Sequence, residues 1–400
     1  MTDVVIAGAG PAGCIAAIVL ARAGARVLLL DRARFPRPKL CGDSVNPGAL
    51  ALLGRLSLAN QIEPDGVRCD GMIVTGERGV RIEARYPRGV AGRFISRTHF
   101  DSWLLDKAIA SGVDFAHDTR VLAAEMLESG ARGERRVVGV RVQERCGATR
   151  TVRAAITIAA DGRRSTLAFG LGLARHPARP RRWAVGAYFE GVCGVSSLGE
   201  MHIRQGHYIG VAPLPGGVVN ACLVAQDLTT LRSAPGLPAL LTGRLLGDSI
   251  LGPRFARARL VTRPIALGPL AVDSSAAGIA GLLLAGDAAG FVDPMTGDGL
   301  YFAMRGGELA AQAALLALSG QEPSPHAWLA ARRQREFRWK QRFNRTLRLV
   351  VSAPRVIGVG SRLAKAYPGL IEQVVRVAGD VGRGAENADS RQTVAESRRI

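Results

Sequence analysis

Gly8, Gly10 and Gly13 follow a Gly-x-Gly-x-x-Gly spacing, directly after the apolar run at residues 3–7 and directly before a helical run from about Cys14 to Arg22. In that setting each glycine has its own task. The first permits a tight turn, the second lets backbone approach a pyrophosphate, and the third lets the helix pack close to the sheet. Pro11 and Ala12 complete the turn, and the helix N-terminus stabilises phosphate charge. Asp31 closes the next apolar run, where a carboxylate can accept hydrogen bonds from both ribose hydroxyls. A glycine triplet alone is weak evidence. A strand, the triplet, a helix, a second strand and an acid in this order point to dinucleotide binding.

A second stretch, "LLLAGDAAGFVDPMTGDGL" at residues 282–300, delivers Gly286 and Asp287 to a turn at the end of an apolar strand. It then leads through Pro294, Gly297, Asp298 and Gly299 into a helix. An acid at a strand end binds sugar-like hydroxyls, and a glycine loop at a helix start offers backbone N–H groups to an electron-rich ring edge. A third stretch, "KLCGD", sets Cys41 between Lys39 and a Gly42 turn. Two roles stand open for Cys41: a proton-donating thiol, lowered in pKa by Lys39 or Arg37, or a small side chain that fills space.

The elements that must position these residues are legible in outline. Residues 1–31 form a complete β-turn-α-β unit, and "GMIVTGERGVRIEARY" reads as a hairpin. "SRTHFDSWLLDKAIASGV" is a helix with Trp103, Leu104 and Ala108 on one face, and strands return at 119–126 and 136–159. Residues 180–265 read as an antiparallel sheet, 299–318 as a long helix with a small-residue face, and 325–378 as helical and arginine-rich. The expected fold class is α/β. A Rossmann-like nucleotide-binding domain of the glutathione-reductase type takes residues 1–66, 97–175 and 270–320. An antiparallel-sheet substrate domain, 67–96 and 176–269, is interleaved with it. C-terminal helices follow at 321–378, and a polar tail without fixed structure at 379–400.

Composition narrows the classes. The six cysteines are scattered, without a Cys-x-x-Cys pair or a histidine at ligand spacing. This argues against a metal site or a disulfide framework, and for reduced thiols in a cytoplasmic protein. The apolar runs are too short to span a bilayer. A cleaved leader is not expected, because the first motif begins at Gly8. The chain carries 53 basic against 33 acidic residues, a formal charge of +20. Aromatic residues make up only 5% and do not interleave with the basic ones, which argues against nucleic acid. The basic run at 332–351 has three readings: a solvated helix face, a contact with an anionic membrane, or a contact with an acidic carrier protein.

Together the motifs resemble the flavoprotein superfamily with the para-hydroxybenzoate-hydroxylase fold, in four motifs spanning residues 8–300. The resemblance implies that Gly8, Gly10, Pro11, Ala12, Gly13 and Asp31 bind the ADP half of FAD. It places Gly286 and Asp287 at the ribityl and pyrophosphate part, with Asp161 and Gly162 against the cofactor. Arg97, which opens the Arg-x-x-x-Phe-Asp helix start, is placed near the flavin. Pro294, Gly297, Asp298 and Gly299 are placed where reduced flavin carries its negative charge. Arg32, Lys39, Cys41, Gly42 and Val121 are assigned to the same cofactor surface.

"GDAAGFVDPMTGDGLYFAMRGGELAA" is most similar to the geranylgeranyl-reductase-like branch, which also holds electron-transfer dehydrogenases and some halogenases. Typical hydroxylases carry a histidine and a Gly-Gln-Gly loop where this chain has Gly290 and Gly297-Asp298-Gly299. The chain also departs from prenyl reductases: "GHYIGVAPLP" has Tyr208 and Pro213 but lacks their tryptophan. Two stretches, "RRSTLAFGLGLARHPARPRRWAVGAYFE" and "GEMHIRQGHYIGVAPLPGGVVNACLV", resemble oxidoreductases associated with bacterial type III polyketide synthases. The resemblance thus implies an FAD-dependent oxidoreductase, monomeric or dimeric, that draws electrons from transiently bound NADPH or NADH and acts on a lipophilic small molecule. Hydroxylation of an aromatic or polyketide-type substrate is placed ahead of saturating a prenyl or quinone double bond, and a non-enzymatic electron carrier comes third. The reductive path needs a proton donor near the flavin, with Cys41, Tyr208 and His207 as candidates.

Overall fold

The computed structural model describes residues 2–77, 79–129, 134–178, 182–225, 236–291, 295, 297–352, 373 and 376–381. The strand Val4–Ala7 shows how the chain's pattern builds its first layer. All four residues are buried, as expected of a strand covered on both faces. Alternate side chains point opposite ways. Val4 and Ile6 pack with the helix Pro11–Arg22, while Val5 and Ala7 pack with a second apolar cluster on the other face. Each such fully buried Val or Ile contributes roughly 1.5–3 kcal/mol.

This strand sits inside a six-stranded sheet, flanked in parallel by Val27–Leu30 and Ile156–Ala159. Asp114–Ala116 extends the sheet in parallel beyond Val27–Leu30, and Leu282–Leu284 beyond Ile156–Ala159. Helices Pro11–Arg22, Arg97–Ala110 and Gly299–Leu318 cover one face. A three-stranded antiparallel sheet, Arg120–Ser129, Glu134–Gln143 and Thr149–Arg153, covers the other. Asp114–Ala116 was not read from the sequence, where "DFA" is too short to show a period.

The second large sheet runs in the order Arg259–Leu260, Trp183–Glu190, Val218–Ala225, His207–Pro213, Leu198–Arg204, Gly71–Thr75, Arg81–Arg85. Its neighbours are antiparallel except Leu198–Arg204 with Gly71–Thr75, where the early hairpin docks in parallel. Two helices, Leu237–Leu246 and Leu251–Phe255, lie within the stretch read as all sheet, and they cover its outer face. The buried leucines at 240, 241 and 245 carry the helical spacing that marks the first of them.

The helix Pro325–Ser352 is tied to the start of Gly299–Leu318 by Asn344, which donates to Asp298 at 2.7 Å, and it carries a buried amine. Lys340, fully buried, donates to the carbonyls of Val377 and Ala378 and lies 3.1 Å from the Asp380 carboxylate. Gly48 N–H donates to Gly379 O at 3.0 Å, and Asn46 donates to Asp380 at 3.2 Å. Gly379 to Val381 therefore differ from the structureless tail read for 379–400. A buried ammonium needs acceptors, and this segment supplies them. Residues 382–400 lie outside the described residues. No helix among the described residues is long and apolar enough to cross a membrane.

Candidate active site

A cavity of 790 Å³ opens at the carboxyl ends of the parallel strands and reaches the inner face of the antiparallel sheet. Open α/β sheets place ligands at this kind of location. Its polar end is the glycine turn. Gly8 has φ +101°, and a Cβ there would lie 2.5 Å from Ala160 O. A Cβ on Gly13 would lie 1.9 Å from Gly8 O, so Gly13 sits beneath the turn and not on the cavity wall. At Gly10 a Cβ meets only Arg37, at 3.7 Å, which leaves that backbone open to the cavity. Pro11 and Ala12 line the wall beside it.

Asp31 does more than face the cavity. Its two carboxylate oxygens accept from Ala9 N–H and Ala33 N–H, each at 2.9 Å, so it clamps the glycine turn. Each oxygen keeps acceptor capacity for a ribose hydroxyl. Arg32 and Val121 flank it. Asp161 accepts from Thr166 N–H at 2.7 Å, yet its Oδ1 is buried on the wall without a hydrogen-bond partner among the described residues. An orphaned buried acceptor next to an open glycine, Gly162, fits a ligand that brings donors. Gly286 packs its turn against Ala12, and Gly307 brings the long helix so near that a Cβ would lie 2.2 Å from Ala12 O. This close approach is the reason for that helix's small-residue face. Asp287, Gly297 and Gly299 line the wall between these helices. Lys39 stands there too; burial lowers its pKa and Asp287 opposes the shift.

One assigned side chain turns elsewhere. Asp298 turns its carboxylate away from the cavity, accepting from Asn344 at 2.7 Å and facing Lys340 at 3.5 Å. It thereby ties the helix start to the C-terminal helix. Pro294 lies outside the described residues.

The far end of the cavity is apolar. Leu40, Ala184, Cys222, Leu267, Leu270 and Phe291 form it, with Cys41 and Gly42 at its edge. Tyr208 is buried in the layer behind, among Met201, Ile203 and Val224. His207, the next residue back along the strand, points the other way and its Nδ1 lies 3.2 Å from Gln205 O. Neither reaches the cavity, because alternation along the strand sends one into the wall and the other to the outer face. Of the three expected proton donors, only Cys41 lines the cavity.

Cys41 is set in a buried polar network. Arg97 grips Asp101 through two bonds of 2.7 and 2.8 Å, with Arg37 3.4 Å from the same carboxylate. Arg97 also bonds the Cys41 thiol. Burial nonetheless pushes that thiol above its ordinary pKa, and Arg97 only opposes the shift. The expectation of a thiol lowered by Lys39 or Arg37 is therefore corrected in direction and in partner. The thiol is protonated at neutral pH, which suits a proton donor and not a nucleophile.

Sequence reasoning quoted Asp43 within "KLCGD" but assigned it nothing. It is fully buried, with φ 52°, and accepts from Arg97 N–H at 3.0 Å, from the Asn220 amide and from the Tyr188 hydroxyl. The same amide donates to Cys41 O at 2.7 Å. Burial outweighs these donors and raises the Asp43 carboxyl to about 6. Asn220 lies 177 residues away, so no local spacing could have shown the pairing.

An open glycine turn, a ribose-directed acid, an orphaned acceptor and an apolar end carrying a protonated thiol define a dinucleotide-dependent redox site. Residues 1–218 match the FAD binding domain family, and the chain belongs to it. Within it the chain belongs to the geranylgeranyl-reductase-like branch of FAD-dependent oxidoreductases. It is 30% identical to a menaquinone reductase of Mycolicibacterium smegmatis, across 95% of this chain and 91% of that one. It is 31% identical to digeranylgeranylglycerophospholipid reductase 1 of Methanopyrus kandleri, across 86% and 87%. The fold also matches a flavin-dependent brominase, with TM-score 0.81, 21% identity, and 100% and 99% coverage.

Proposed function

We propose that the chain is an NAD(P)H-dependent reductase that saturates a carbon–carbon double bond in a lipophilic, prenyl-bearing substrate. One observation carries this reading. The cavity wall formed by Leu40, Ala184, Cys222, Leu267, Leu270 and Phe291 carries, among the described residues, no hydrogen-bonding side chain except the Cys222 thiol, while Lys39, Ser44 and Arg97 line the cavity on the Cys41 side. An aromatic hydroxylase needs polar groups to orient a phenol, and burial without a partner for that hydroxyl is costly. This moves the reading from hydroxylation to reduction. The two relatives support it, since both are named as reductases of lipophilic molecules.

Bound FAD supplies the hydride. The chain's own residues do the rest. The glycine turn and Asp31 hold the ADP half, and Asp161 and Asp287 stand beside the linking part. The apolar wall excludes water and orients the alkene. The Cys41 thiol gives a proton to the carbon next to the one that takes the hydride. Arg97 stabilises the thiolate left behind, and the Asp43 carboxylic acid restores its proton before being recharged from solvent.

The pH dependence follows. The folded-state value of Asp43 is raised, so its acid form exists below about pH 6 and is lost as pH rises through that value. Turnover is expected to fall across that window, and Asp43→Asn to flatten the limb. A limb retained in Asp43→Asn assigns it to another group. The reading itself is tested by following NADPH and NADH oxidation with a polyprenyl quinone, in air and without oxygen. Turnover independent of oxygen, with product gaining two hydrogens, is expected. Oxygen uptake matching product gives hydroxylation instead.

A further inference from the structure

The helix Pro325–Ser352 has two opposed faces. Leu329, Arg333, Phe337, Lys340 and Asn344 recur at helical spacing and turn inward. Leu329, Phe337, Lys340 and Asn344 are buried, and Arg333 donates to Ala289 O at 2.9 Å. Half a turn round, Arg335, Arg338, Trp339, Arg342 and Arg345 form an exposed stripe. Trp339 is 54% exposed and stacks on Phe343, with ring centroids 5.8 Å apart and planes within 10°.

The stripe gathers four arginines on one helix face around an exposed aromatic side chain. Some exposed arginines elsewhere are paired, as Arg26 is with Asp3 and Arg34 with Asp118. The four arginines of the stripe form no ion pair among the described residues. The one acid within this part of the helix, Glu336, is taken by Arg305. Four cations without an ion pair among the described residues thus surround the stacked Trp339 and Phe343.

We propose that this stripe docks the protein on an anionic lipid surface. Arginines near such a surface are drawn by its negative potential, and a tryptophan settles at the headgroup boundary with its polar edge still wet. An acidic carrier protein would satisfy the charges but would offer no headgroup boundary to the exposed Trp339. The mounting is firm. Arg305 to Glu336, and Asn344 to Asp298, tie the helix to the one that starts at Gly299 on the cavity wall. Docking would therefore hold the cofactor site and the bilayer on one rigid body.

The test is co-sedimentation of the FAD-loaded protein with phosphatidylglycerol–phosphatidylcholine vesicles, compared with pure phosphatidylcholine. No substrate is present, so the result stands whatever reaction the site performs. Binding is expected only to the anionic vesicles, weakening as salt rises. Each arginine is expected to account for about fivefold in affinity, so Arg338→Gln with Arg342→Gln weakens binding about 25-fold. Trp339→Ala is expected to weaken it further, with FAD content and thermal midpoint unchanged in every variant. Absence of binding to anionic vesicles, equal binding to both vesicle types, or variants that bind like the parent would each overturn the proposal. So would selective capture of an acidic carrier protein through this stripe without vesicle binding.

Discussion

Cys41→Ala is expected to lower turnover on a prenyl-bearing substrate by about 10²–10⁴-fold, the usual contribution of a positioned acid, while FAD stays bound. The thiol lines the apolar end of the cavity and is protonated at neutral pH, because burial outweighs the Arg97 charge. Cys41→Ser should recover part of the loss, since a hydroxyl donates a proton but yields a less stable anion. The cofactor should be retained, because the glycine turn, Asp31 and Asp161 remain in place. Stopped-flow reoxidation of the reduced protein by substrate reads the effect directly. Unchanged turnover in Cys41→Ala would make the thiol a packing residue only.

The second large effect is at Gly13, which does not touch the cavity. Its added Cβ would lie 1.9 Å from Gly8 O, a backbone atom that cannot move aside cheaply. Gly13→Ala is therefore expected to push the helix Pro11–Arg22 off the sheet and open the turn that receives the pyrophosphate. The purified variant should lack flavin absorbance and unfold at lower temperature. Gly10→Ala makes the contrast, because its Cβ would meet only Arg37, at 3.7 Å. That variant should keep the fold's stability and lose FAD affinity, since the Cβ enters the space the phosphates need. Equal stability and equal FAD content in both would contradict the packing account.

These residues also show what a one-dimensional reading can reach. Gly8, Gly10, Asp31 and the Gly286–Asp287 turn were legible because their function depends on local spacing and on position at strand ends. The cofactor surface follows from them. Asp43 was not legible: its importance comes from Asn220 and Tyr188, which the large sheet brings in from far along the chain. The task of the Asp298 carboxylate was hidden for a related reason. Its motif assigns the backbone of the helix start to the flavin, and Lys340 and Asn344, on a helix read only as basic, take its carboxylate. Tyr208 and His207 were chosen by residue type alone. Which face of the strand they occupy depends on a sheet register fixed by pairing with Val218–Ala225 and Leu198–Arg204. The direction of the Cys41 shift was likewise hidden, since a nearby cation can be read from sequence and the depth of burial cannot.

The central claim is that the cavity reduces a double bond without oxygen, using a proton held by the chain. Anaerobic single turnover tests it most directly: the FAD-loaded protein is photoreduced, mixed with a polyprenyl quinone, and followed by flavin absorbance and product mass. The account predicts flavin reoxidation in step with one saturated double bond per flavin, slowed in Cys41→Ala. A flavin that stays reduced until oxygen is admitted, with the product then carrying a new oxygen atom, would contradict it.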